Sequence, residues 1–91
     1  MAEIEYQAIF KGRVQGVGFR WTARSFALES GLAGSVKNLP DGTVELIVQG
    51  PQEKIGQLIK RLLAHFQLSQ DDVQGHYQEA LQLFNGFQIL R

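Results

Sequence analysis

Three glycines and two arginines crowd into the stretch Gly12-Arg13-Val14-Gln15-Gly16-Val17-Gly18-Phe19-Arg20. Ahead of it, Ile4, Tyr6, Ala8 and Phe10 alternate with Glu3, Glu5, Gln7 and Lys11, the period of a half-buried strand. Behind it, a helix-like segment begins near Arg20 and stops at Gly31. Small residues between a strand and a helix let the backbone curl, so that successive N–H groups converge on one point. The unpaired amides of the first helical turn and the positive end of its dipole face the same point. Such a place binds anions, phosphate above all. Arg20 breaks a local rule there, because a cation in the first turn opposes the helix dipole. An anion held between the amides and the guanidinium would offset that cost. The residues alone admit a second reading, a surface arginine beside a tight turn, since glycine-rich turns are common.

Other chemistries find little support. A Walker-type phosphate loop needs four residues between its glycines and then Gly-Lys-Ser/Thr, and a dinucleotide site needs a third glycine and a downstream acid. Neither pattern is present. His65 and His76 lie far apart with no partner motif, and there is no cysteine. Thiolate metal sites and disulfides are therefore excluded, and no metal or cofactor is expected. Asp71-Asp72, Glu29 and Glu53 read as solvated connector and helix residues.

The elements that must position the loop follow from pattern. A first helix runs from about Arg20 to Ser30, with Phe19, Trp21, Ala23 or the stem of Arg24, Phe26, Ala27 and Leu28 as candidates for its buried side. Strands are expected over Gly34–Leu39 and Thr43–Gln49, joined at Pro40-Asp41-Gly42, where Pro sets φ and Asp caps the turn. Ile55, Leu58, Ile59, Leu62, Leu63 and Phe66 recur at helical spacing and predict a second helix over Gln52–Phe66. Leu68 to Asp72 is a polar connector, Val73–Ala80 a fourth strand, Asn85-Gly86 a turn and Phe87–Leu90 a short last strand. The order β-α-β-β-α-β, with right-handed crossovers, places both helices on one face of an antiparallel sheet ordered 4-1-3-2. This is an α+β, ferredoxin-like sandwich with an extra C-terminal strand whose pairing the pattern does not determine. Strands 1 and 2 then run parallel, so the glycine loop and Asn38 lie at one end of the sheet. Taken alone, Asn38 reads more readily as a cap of the Pro40-Asp41-Gly42 turn.

At 91 residues, one domain spanning 1–91 is expected. Hydrophobic residues make up 44% and charged ones 20%, as in an ordinary soluble protein. Nine basic residues balance nine acidic ones, so no strong field draws nucleic acid or an anionic membrane. RNA-recognition modules share this architecture but stack bases on strand aromatics, and Thr43–Gln49 contains none. No basic, apolar leader and no membrane-length apolar run is present, so a cytoplasmic monomer is expected.

Two motifs carry a resemblance. Gly12-x-Val14-Gln15-Gly16-Val17-x-Phe19-Arg20 resembles the first signature of the acylphosphatase family, and Gly34-x-Val36-Lys37-Asn38-x-x-x-Gly42-x-Val44, followed by Gly50, resembles its second. The likeness runs from about Glu3 to the C-terminus, with no matching motif between Gln67 and Asn85. Ser35 departs from it, standing where the family usually carries an aromatic residue. The resemblance implies the same sandwich fold in a small stand-alone acylphosphatase, a metal-independent hydrolase of small acylphosphates that yields a carboxylate and inorganic phosphate. It implies that the amides of Gln15, Gly16, Val17, Gly18, Phe19 and Arg20 cradle the phosphoryl oxygens, that Arg20 grips them, and that Asn38 orients the attacking water. Gln15 would shape the loop more than bind through its side chain. A non-catalytic anion sensor on the same fold is the alternative, and it gives no reason for Arg20 and Asn38 to converge.

Overall fold

The computed structural model describes residues 3–91. The elements are β1 (Ile4–Phe10), α1 (Phe19–Glu29), β2 (Ala33–Asn38), β3 (Val44–Gln49), α2 (Gln52–His65), a 3-10 turn (Gln70–Asp72), β4 (Val73–Glu79) and β5 (Phe87–Leu90). The sheet order is β4-β1-β3-β2-β5. The expected order 4-1-3-2 stands within it. β5 extends the sheet beyond β2 and runs parallel to it, so the sheet is mixed rather than wholly antiparallel. The cause is the 80–86 connection, which carries the chain from one edge to the other. It is tied on the way by Gln49, which donates to the Gln82 carbonyl and accepts from the Phe84 N–H.

Both helices cover the face formed by Ala8, Phe10, Val36, Val44, Leu46 and Val48, where their own Phe19, Ala23, Ala27, Ile55, Leu58 and Leu62 complete the core. Burying each large side chain contributes roughly 1.5–3 kcal/mol, so the α2 stripe anchors much of this layer. The opposite face is polar yet ordered. Glu5, only 9% exposed, accepts from Gln49 Nε2 at 2.8 Å and from Gln78 Nε2 at 2.6 Å. Gly34 is required in β2 by close approach, because a Cβ there would collide with the Ile47 carbonyl.

Two expectations for α1 are corrected. Trp21 and Leu28 are not core residues; they are 66% and 44% exposed. The physical reason is helical phase. Phe19, Ala23 and Ala27 recur every fourth residue and face the sheet, which turns positions 21 and 28 to solvent. The connector before β4 is also more structured than its polarity suggested. Ser69 and Asp72 form a reciprocal capping box around the 3-10 turn, supplying partners for its otherwise unpaired amides.

Candidate active site

The loop between β1 and α1 is pinned at both ends. Val14 and Phe19 are 1% exposed, and the Phe19 ring packs at 5.0 Å from both Phe10 and Phe66. Between these anchors Gly16, Val17 and Gly18 face solvent. Gly18 takes the left-handed conformation at φ 80° as the residue preceding α1, and no side chain caps the helix. That geometry admits glycine at little cost. The first α-helical bond runs from Thr22 N to the Gly18 carbonyl at 3.0 Å. Among the described residues, no backbone carbonyl accepts from the N–H groups of residues 15 to 20. A row of free donors therefore lies at a helix N-terminus that has no acid in its first turn.

Gln15 closes the loop onto the neighbouring turn. Its Nε2 donates to the Leu39 carbonyl at 2.9 Å and the Thr43 carbonyl at 2.8 Å. These two residues flank the last rung of the β2–β3 pair, in which Asn38 opposes Val44, and Val44 in turn opposes Phe10. Phe10, Val44 and Asn38 thus form one row across the sheet, at the end where the loop begins. Asn38 is two residues from the buried Val36 and so projects from the same face, toward the helices. Its Oδ1 is buried and has no hydrogen-bond partner. The turn after it is capped instead by Asp41, whose Oδ1 accepts from Thr43 N at 3.0 Å. The Thr43 hydroxyl and N–H hold the Asp41 carboxyl below its ordinary value.

Arg20 is half-buried in the first turn of α1. One turn later Arg24 donates to the Phe87 carbonyl of β5 at 3.2 Å, so this side of the helix overlooks the β2–β5 edge. Arg20, on the same side and nearer the helix start, overlooks the end where Asn38 lies. Among the described residues the ion pair formed is Arg61 with Glu29, so no carboxylate neutralises Arg20. The structure therefore brings the loop amides, Arg20 and Asn38 to one end of the sheet, while the Phe19 side chain stays in the core. The Gln15 amide nitrogen is committed to two carbonyls, so its side chain shapes the loop. The Leu39 and Thr43 anchors are backbone atoms, and no side-chain signal in the sequence marks them.

The histidines stand elsewhere. His65 packs its ring on Phe26 and Phe66, and His76 bonds Gln78 on the open face. Among the described residues no three His, Cys, Asp or Glu side chains gather as a metal site, and no helix is long and apolar enough to cross a membrane.

A ferredoxin-like sandwich with a glycine loop and unpaired amides at one end of its sheet is the class these features define. The family model of the acylphosphatases matches residues 6–89, and the chain belongs to the acylphosphatase family. It is 48% identical over 60 residues to an acylphosphatase of Acidothermus cellulolyticus, an alignment covering 66% of this chain and 57% of that protein. It is 52% identical over 59 residues to one from Corynebacterium efficiens, covering 65% and 60%. The matched stretch thus spans less than two thirds of either relative. Along almost its whole length the fold superposes on the crystal structure of acylphosphatase from Bacillus subtilis, with a TM-score of 0.86, 32% identity, and 97% and 99% of the two chains covered.

Proposed function

We propose that this chain is an acylphosphatase that hydrolyses the carboxyl–phosphate bond of small acylphosphates. The observation that carries the proposal is the orphaned Asn38 Oδ1, an acceptor left buried at the sheet end where the free loop amides and an unneutralised arginine also lie. A buried acceptor without a partner costs about 1–3 kcal/mol. A water donating to Oδ1 would relieve that cost.

The phosphoryl oxygens sit on the N–H groups of residues 15 to 20, and Arg20 grips them with its forked guanidinium. Asn38 Oδ1 accepts a hydrogen bond from the water and aims its oxygen at phosphorus. The P–O bond to the acyl oxygen breaks as the new P–O bond forms. The carboxylate departs with the bonding electrons, and a water proton passes to a phosphoryl oxygen. A carboxylic leaving group has a pKa near ~4 and needs no general acid. The transition state is loose, so positioning and electrostatics supply most of the catalysis. No metal, cofactor or covalent intermediate takes part. Residues 1–91 act as a single domain, as a cytoplasmic monomer, with neither nucleic acid nor membrane as partner.

Release of inorganic phosphate from acetyl phosphate, measured with purified protein against the spontaneous rate, tests this reading. Saturable turnover inhibited by phosphate is expected. Phosphate binding without turnover would make the site an anion sensor and overturn the assignment.

A further inference from the structure

Trp21 is the one tryptophan of the chain, and it stands 66% exposed in the first turn of α1, directly after Arg20. Packing does not account for it, since Phe19, Ala23 and Ala27 supply the buried face of the helix. Helical side chains lean toward the N-terminus, so a first-turn residue overhangs the segment before it. For a residue at position 21 that segment is Val17-Gly18, both exposed. Val17 is itself 37% exposed, and nothing stands within 4 Å of the place a Cβ would occupy at Gly16 or Gly18. The loop and the first helical turn beside it are therefore both open to solvent, and each exposes an apolar side chain, Val17 and Trp21. The amides and Arg20 engage only phosphoryl oxygens, which leaves the acyl group of a bound substrate outside the loop and in need of its own surface.

Resting on the hydrolase reading above, we propose that Trp21, helped by Val17, is the platform on which the acyl group lies, so that the chain favours acylphosphates with flat aromatic acyl groups over acetyl phosphate. An indole face offers apolar area and an offset stack to such a ring. The contact is made equally in the bound substrate and the transition state, so it acts on KM and on kcat/KM rather than on kcat.

The experiment compares kcat/KM for benzoyl phosphate and acetyl phosphate in the wild type, Trp21→Ala and Trp21→Phe. The benzoyl-to-acetyl ratio should fall about three- to tenfold in Trp21→Ala, through KM, and recover largely in Trp21→Phe. A second readout uses the lone tryptophan: benzylphosphonate, an aromatic anion that cannot be hydrolysed this way, should change its emission saturably and more than inorganic phosphate does. A wild type inert toward both substrates sinks the hydrolase reading and this one with it. An active wild type whose ratio is unmoved in Trp21→Ala, or whose emission responds alike to both anions, overturns the platform alone.

Discussion

Arg20 and Asn38 are residues that local stability would not have selected. The arginine opposes the dipole of the helix in whose first turn it stands, and the asparagine buries an oxygen with no partner. In the proposed mechanism the substrate and its water resolve both conflicts. Arg20→Lys keeps the charge but loses the planar fork. Its kcat/KM should fall by at least about 100-fold, the scale of losing an oriented donor to a developing charge, with the melting temperature little changed. Near-normal turnover in steady-state assays would contradict the assignment. Asn38→Ala separates function from stability more sharply. Its kcat should drop by about 10²–10³ while the inhibition constant of phosphate stays nearly constant, because aiming water matters chiefly in the transition state. The same variant removes an unsatisfied buried oxygen, so chemical denaturation should show stability unchanged or raised by about 1 kcal/mol. A collapse of phosphate affinity would instead mean that Asn38 holds the loop together.

Among the elements, the loop depends on its moorings. Val14 and Phe19 anchor its ends in the core, and Gln15 ties its middle to the β2–β3 turn. Both carbonyl acceptors keep another donor when Gln15 is truncated: Gly42 N to Leu39 O at 3.2 Å and Leu39 N to Thr43 O at 2.8 Å. Gln15→Ala should therefore cost only about 1–2 kcal/mol of stability. Its catalytic loss should be larger, about tenfold or more in kcat/KM, because small misplacements of positioning groups are expensive. Paired denaturation and kinetic measurements check this, and parallel losses of the same size would contradict it. The strand–loop–helix device was legible from the glycines and the alternation before them, with α1 starting one residue earlier than expected. The mooring was not, since its acceptors are main-chain oxygens that adjoin Gln15 only after the sheet has formed.

For the molecule as a whole, the groups with shifted ionisation lie outside the neutral range. Asp41 has a lowered value, so its contribution to stability is present above about pH 4 and lost as the pH falls through the folded value. Tyr6 is raised by burial and then by neighbouring Tyr77, so its contribution is present below about pH 10 and lost as the pH rises through the folded value. Neither histidine is assigned to the site. Activity should thus vary little between about pH 5.5 and 8, where an imidazole ordinarily titrates at ~6.5, and should survive chelators. A bell-shaped profile centred on neutrality, or loss of turnover with a chelator, would mean that a base or metal acts at the site; His76 and His65 would be the first residues to replace.

The paired motifs and the hydrophobic periods were enough to determine the family and the sandwich and to single out the residues proposed for the site, because glycine spacing and side-chain alternation are local and survive in one dimension. Tertiary structure alone decided three matters. It placed β5 parallel to β2, since edge pairing depends on where the 80–86 connection lands. It turned Trp21 out of the core, since only packing sets the rotational phase of a helix whose apolar residues run nearly all round it. It also left Asn38 Oδ1 without a partner, because whether a polar atom is satisfied depends on neighbours that only folding brings near.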